Sequence, residues 1–415
     1  MDKRIAELRV DGKRLRADFE ALAEIGSTGD GGVNRPSLGD AHLAARRWYR
    51  EQISSVGLEF RTDSAGNHSA YLDCGPVGAP TLMLGSHLDS VPNGGRFDGA
   101  LGVLAALEVL RVVKTAGLRL AYHLEAIDFT DEEGTLVGLT GSAAMAGVLQ
   151  REAMLAPRAG RQAFEAALAR AGMTEAGLFQ AERDPATMAG YMELHIEQGC
   201  RLTDAATDIG IVSGIAGINS YRLRFVGRAD HAGTTPMEKR RDAALGACAF
   251  TLDARAVAIQ EFEGCVVNVG DMEFLPGAFN IVPSEVHLAL EFRAPDAAVF
   301  SQLEAVLLDK ARSLAADYDL GLKIEWLGKC EPATMHVDMR RCISEACDEL
   351  GLSQLTFASG AGHDAQSFSG LCPIGMIFVP SVDGASHSAR EFTRWQDCVN
   401  GANVLLQAAL LFAQA

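Results

Sequence analysis

Residues 80–103 read PTLMLGSHLDSVPNGGRFDGALGV, and this stretch decides the fold class. A short apolar, β-prone run ends at His87, a Gly-rich break carries Asp98, and an apolar stretch suited to a helix begins at Ala100. Strand, glycine-rich turn and helix in succession form the repeating unit of an α/β protein. Its turns are where such proteins place their sites. Three further segments pair a β-prone run with a Gly-rich break and carry a metal-ligating residue type: Glu133 in FTDEEG, His195 in ELHIEQG and His387 in SHSAREF.

A lone histidine or acid in such a loop is more often an ordinary surface or core residue. Five in matching contexts reverse that reading. If one carboxylate bridges, the five supply two divalent ions with three protein ligands each and leave a shared solvent position open. An open position implies catalysis rather than scaffolding. Glu132, adjacent to Glu133, faces the same place from a different direction. It is the candidate general base, taking a proton from the water between the metals and returning it to a leaving nitrogen. Asp89 lies two residues after His87, on the same side of an extended segment. It is either an acceptor for the far imidazole nitrogen or a turn cap ahead of Ser90 and Pro92.

At 415 residues and 48% hydrophobic content the chain can bury more than one core, which predicts two domains. Lys and Arg number 37 against 54 Asp and Glu, a formal charge of −17 that argues against nucleic acid or an anionic membrane as partner. No apolar run reaches the roughly 18–20 residues that span a bilayer, and the charged start MDKRIAELRVDGKRLRADFE lacks a signal-peptide core. A cytoplasmic location is therefore expected. The nine cysteines are scattered, never spaced C-x-x-C, and read as reduced, mostly buried thiols.

Residues 1–212 alternate strand-like runs with amphipathic helices, including a helix over Ala100–Thr115 and the strand AYHLEAIDFT. Residues 140–190 read as decorating helices without a catalytic candidate. From 213 to 328 the order becomes strand SYRLRFVGRA, helix RDAALGACAFTLDARAVAIQ, strands CVVNVGDMEFL and SEVHLALEFRA, helix AAVFSQLEAVLLDKARSLAADY and strand LKIEWLG. That βαββαβ order is ferredoxin-like. Alternation in SEVHLALEFRA puts Val286, Leu288, Leu290 and Phe292 on one face, with His287, Ala289, Glu291 and Arg293 on the other. Over 329–415 the α/β pattern resumes, with LTFASGAGHDAQSF read as strand-like, so the second domain is inserted into the first. That domain offers His231 in RADHAGTTPM, Asn280 in GAFNIVPSE and Arg293 in LEFRAPD, the set that holds a polarised carbonyl oxygen and a carboxylate.

Taken together, GSHLDSVPNGGRFDGALGV, ELHIEQG, DHAGTTPMEKRRDA, SGAGHDA and IFVPSVDGASHSAREF resemble the M20 metallopeptidase superfamily, in its amidase/hydantoinase/carbamoylase branch. The resemblance covers nearly the whole chain. It implies a phosphorylase/hydrolase-like α/β/α catalytic domain carrying an inserted ferredoxin-like dimerisation domain. It also implies His87 and His387 as terminal ligands on different ions, Asp98 as bridge, Glu133 and His195 completing the two sets, and Glu132 as base. Gln198, His231, Asn280, Arg293 and Gly362 match positions that hold substrate, with Arg293 as the carboxylate anchor. Homodimers are expected, with His231 reaching the partner subunit's active site. The two metals are expected to be zinc, manganese, cobalt or nickel.

The activity so implied is hydrolysis of a linear C–N bond in an N-carbamoyl-L-amino acid or related ureido acid bearing a carboxylate. Allantoate or ureidoglycolate hydrolysis, an aminoacylase or dipeptidase activity, and a silent metal-stabilised binding protein are the alternatives. One departure stands out. Many members of the branch follow Glu-Glu-Gly with a small residue, Arg and Phe, whereas this chain has Thr135-Leu136-Val137-Gly138. A change there from cationic and aromatic to aliphatic is expected to alter the wall near the metals or the residues behind it.

Overall fold

The computed structural model describes residues 6–414; residues 1–5, which open the charged N-terminal stretch, and residue 415 lie outside it. Two compact units divide the chain, one comprising residues up to 213, 334–357 and from 363 onward, the other 214–333 with 358–362.

The first unit is built on β1 (Glu59–Thr62), β2 (His68–Leu72), β3 (Thr81–His87), β4 (His123–Phe129), β5 (Met188–Ile196) and β6 (Ile209–Ile215), with β13 (Ile374–Val379) from the C-terminal part. The short β11 (Ala333–Thr334) and β12 (Gln354–Ser359) add to it. The sheet order is β1-β2-β4-β3-β5-β13-β6-β11, with β12 also paired to β6. Its centre is parallel: His87 pairs with Phe129, and Phe378 with His195. Strands β3, β4, β5 and β13 therefore all end on one side, where an open parallel sheet forms its crevice. They are buried almost from end to end because both faces are covered.

Helices α1 (Gly12–Glu24), α2 (Asp40–Ser55), α3 (Ala100–Thr115), α6 (Val337–Leu350) and α7 (Trp395–Phe412) pack on this sheet. Every residue of α3 from Ala100 to Val113 is buried, as its all-round apolar sequence requires. The exceptions in that sequence are compensated: Glu108 pairs with Arg14 at 2.6 Å, and Arg111 with Asp18.

The second unit runs β7 (Gly217–Val226), α4 (Ala243–Glu261), β8 (Val266–Leu275), β9 (Glu285–Ala294), α5 (Ala297–Asp317) and β10 (Gly321–Cys330), in an antiparallel sheet of order β10-β7-β9-β8. This is the ferredoxin-like arrangement. Val286, Leu288, Leu290 and Phe292 of β9 are buried with Leu223 and Phe225 of β7 and with Phe250 and Phe300 of the helices. By length and composition α4 could cross a bilayer, yet Ala243, Gly246, Ala247, Phe250, Ala254, Val257 and Ala258 pack into the unit's own core.

Two details differ from the sequence reading. The expected strand over 355–368 is confined to Gln354–Ser359; Gly360 and Gly362 follow, and Asp364–Phe368 is a 3-10 turn. A glycine-rich GAG offers no side chains to bury on a sheet face, so the ladder stops. All nine cysteines are free, but Cys74, Cys342, Cys347 and Cys398 alone are fully buried, while Cys200 and Cys248 are exposed.

Candidate metal centre

His87 is the last residue of β3, and His195 the last but one of β5. Glu132 and Glu133 follow β4 after Thr130 and Asp131, and His387 lies in the loop after β13. Asp98 precedes α3, separated from it by Gly99 at φ +63°. A Cβ at Gly99 would sit 2.4 Å from His87 Cε1, so only glycine lets the helix start against the imidazole.

Around Asp98 the five candidate ligands form two groups. Its Oδ1 lies 3.5 Å from His87 Nε2 and 3.1 Å from His195 Nε2, while its Oδ2 lies 3.6 Å from His387 Nε2. Glu133 is 3.3 Å from His387, and Glu132 3.4 Å from His87 Nε2. Two ligands on one tetrahedral ion at about 2.0–2.2 Å stand about 3.3–3.6 Å apart, so these separations suit a shared cation. The tautomers suit it as well. His87 Nδ1–H donates to the Asp89 carbonyl at 3.1 Å and His195 Nδ1–H to the Ile196 carbonyl at 2.9 Å, which leaves both Nε2 lone pairs facing the cluster.

The electrostatics point the same way. Burial and the Asp98 charge push Glu133 up to about 8. Burial also raises Glu132 well above the carboxylate range, with His87 opposing and Asp364 and Glu133 reinforcing it. Gathered acids of this kind are relieved by cations. The donor set therefore fits divalent metal.

Asp89 supplies the acceptor for the far nitrogen of His87, though from its main chain. Its main-chain carbonyl, not its carboxylate, holds His87; the carboxylate turns to accept the Glu132 and Glu133 amides, each at 3.3 Å, and is pushed up to about 7 by burial. Gln198, at φ +58°, donates Nε2–H to Asp98 Oδ2 at 2.8 Å, and its Oε1 is buried with no partner. Because an ionised carboxylate only accepts, the amide turns its nitrogen to Asp98 and its oxygen away from it.

The remaining candidates belong to the second unit. His231 Nδ1 accepts the Gly233 and Thr234 amides at 3.0 and 3.2 Å, so the exposed Nε2 carries the proton. Asn280 is tied beside it by Ala232 N–H donating to the Asn280 carbonyl. Arg293 donates to Glu291 at 2.8 Å and to the Gly360 carbonyl at 2.7 Å. Gly362 ends the 358–362 segment of that unit.

Sequence reasoning passed over Glu193 and His363, which with His195 make a third cluster of ligand-type residues. The period-2 alternation that puts Glu193 and His195 on one face of β5 was the available signal. At the Thr135-Leu136-Val137-Gly138 departure the aliphatic side chains turn inward. Leu136 is buried in, and Val137 packs against, the apolar cluster that contains Phe164 and Leu168, while the Asp131 carboxylate accepts the amides of Leu136, Val137 and Gly138. Arg158 lies over the loop instead: a Cβ on Gly134 would come within 2.3 Å of its Nη1.

Comparison with known proteins adds a lineage to this geometry. The model of peptidase family M20/M25/M40 matches residues 83–411. Over 407 residues the chain is 36% identical to an N-carbamoyl-L-amino acid amidohydrolase of Geobacillus stearothermophilus, covering 98% of this chain and 99% of the relative. It is 32% identical to an allantoate amidohydrolase of Bacillus subtilis, covering 93% and 94% of the two chains. Among solved structures, an amidase of the hydantoinase/carbamoylase family from Burkholderia multivorans is similar at a TM-score of 0.87 and 35% identity, with 98% of this chain and 99% of that one covered.

Proposed function

The chain belongs to peptidase family M20/M25/M40, and on that premise we propose that it is a binuclear metal-dependent amidohydrolase cleaving a linear C–N bond of an N-carbamoyl-L-amino acid or related ureido acid. The observation that carries this reading is Asp98, whose two oxygens face different histidines at 3.1–3.6 Å. One group would be His87, Asp98 and His195; the other Asp98, Glu133 and His387. When bound, divalent cations there supply Lewis acidity, drawing charge from a carbonyl oxygen and lowering the pKa of water.

The chain's own residues do the rest. Glu132 takes a proton from the attacking water as its oxygen adds to the carbonyl carbon, then delivers that proton to the nitrogen as the C–N bond breaks. A carbamoyl substrate ends as amino acid, ammonia and carbon dioxide. His231 Nε2–H, with the Asn280 amide, is suited to donate to the carbonyl oxygen as it gains charge, and Arg293 to hold the substrate carboxylate. The unpartnered Gln198 Oε1 favours a ureido over an acyl substrate, because a ureido group brings N–H donors and an acyl methyl brings none.

A homodimer through the second unit is part of the same reading. Leu245, Leu252 and Ile259 recur every seven residues on the exposed side of α4, and Val266 and Phe274 are exposed on the edge strand β8.

Metal-reconstituted protein should be incubated with N-carbamoyl amino acids, β-ureidopropionate, allantoate, ureidoglycolate, N-acyl amino acids and dipeptides, reading ammonia and free amine. Ammonia from a ureido acid is expected. Amine release from acyl or peptidyl substrates alone would move the protein to the peptidase side.

A further inference from the structure

The two halves of the cluster are held by different means. His87 and His195 sit at strand ends, each with its Nδ1–H fixed on a main-chain carbonyl. His387 sits in the irregular segment after β13, at φ +52°, with its side chain 51% exposed. What fastens that segment to Asp98 is Glu391. Its buried carboxylate accepts the Phe97 and Asp98 amides on Oε1 at 2.8 and 3.0 Å. Its Oε2 lies 3.0 Å from the Ser386 hydroxyl, which in turn lies 3.0 Å from Asp98 Oδ2. Ser386 is the residue before His387, so one carboxylate clamps both the backbone that carries Asp98 and the loop that carries His387. A Cβ on Gly95 would fall 1.9 Å from the Glu391 carboxyl carbon; the glycine keeps the carboxylate's seat open.

We propose that Glu391 is a positioning residue that builds the loop-borne cation position, made of Asp98 Oδ2, Glu133 and His387, and that the strand-borne position of His87, Asp98 Oδ1 and His195, which shares Asp98 alone with it, depends on it far less. The proposal rests on the two-ion reading above. Without the carboxylate, the Phe97 and Asp98 amides lose their acceptor, Ser386 loses its second anchor, and the His387 loop is free to drift from Asp98 Oδ2. Nothing in that chain of contacts reaches the Nδ1 anchors of His87 or His195. The consequence is unequal: affinity for the second ion falls about 10–100-fold, the usual effect of removing a residue that orients a ligand, while the first ion stays.

The test is a zinc titration of the metal-stripped full-length chain in competition with a chromophoric chelator, giving stoichiometry and two affinities without reference to turnover. The wild type should take up two ions. Glu391→Ala should keep one tight ion and lose most of the second. Gly95→Ala should do the same with the carboxylate still in the sequence, because its Cβ displaces it, and it carries the test if Glu391→Ala does not fold. Glu391→Gln should retain both ions, since its oxygen can still accept the two amides and its NH2 can donate to Ser386. Equal weakening of both ions, or two unchanged ions, in Glu391→Ala or Gly95→Ala overturns the proposal; so does a Gln variant that behaves like the Ala one. A wild type that binds a single ion overturns the two-ion reading and this inference with it.

Discussion

Replacing Asp128 tests how the strand end that presents His87 is held. The carboxylate is fully buried on β4, taking Arg46 Nε at 2.7 Å on Oδ2 and the Leu88 amide at 2.9 Å on Oδ1. Arg46 is itself buried, and its other contacts are neutral: the Gly66 carbonyl at 2.8 Å and the Thr130 hydroxyl at 3.0 Å. Asp128→Ala thus leaves a guanidinium in the core without its counter-charge, at about 3–5 kcal/mol. It also orphans the Leu88 N–H, which adds about 1 kcal/mol or more. Asp128→Asn keeps an oxygen for Leu88 and loses the charge alone, so it should be the milder change by roughly that second amount. Domains are stable by about 5–15 kcal/mol, so either loss is large in urea unfolding followed by far-UV circular dichroism. Arg46→Met combined with Asp128→Leu removes both charges together and should recover most of the stability. Because Leu88 follows His87 directly, the single variants should also retain metal less well. Single variants within about 1 kcal/mol of wild type would mean that water screens the pair, and the account of a dry, rigid support beneath His87 would be wrong.

Other outcomes follow from the site. Glu132→Gln should lower kcat about 10²–10⁴-fold with metal content unchanged, measured by ammonia release against bound metal; loss of metal in step with activity would instead make Glu132 a ligand. Gln198→Met should reduce kcat/KM for a ureido acid about tenfold or more while changing an N-acetyl analogue much less, since the acetyl group has no N–H for Oε1 to accept; equal losses on both substrates would contradict that role. Leu136→Ala should cost about 2–5 kcal/mol in chemical denaturation, because the side chain fills the core beside Phe164 and Leu168; a near-neutral result would place Leu136 on the cleft wall after all.

What could be read from the sequence was whatever a local period encodes. Val286, Leu288, Leu290 and Phe292 are buried because a strand turns alternate residues to one face, and the apolar run into His87 is a central parallel strand because both its faces are covered. The candidate ligands other than Asp98, which lies ahead of α3, were legible for the same reason: each sits at the end of such a run or in the loop that follows it, and parallel strands bring their ends to one side. What escaped is held by contacts with no local period. Glu391 lies 293 residues from Asp98 in sequence, and only the closed fold turns its carboxylate onto that amide. The choice between the carbonyl and the carboxylate of Asp89 depended on where the Glu132 and Glu133 amides would point.

The Thr135-Leu136-Val137-Gly138 segment is the sharpest case. The sequence left open whether the aliphatic residues beside the candidate base face the metals or lie behind them; a loop whose amides are gathered by the buried Asp131 carboxylate can turn its side chains either way, and the apolar cluster around Phe164 decides the matter by taking them inward. The two glycines that remain on the outer side, Gly134 and Gly138, then leave room for the guanidinium of Arg158. The loop next to the candidate base keeps a cation over it, supplied from 24 residues further along the chain than Gly134. Replacing Leu136 should therefore be felt in stability, and replacing Arg158 at the surface of that loop.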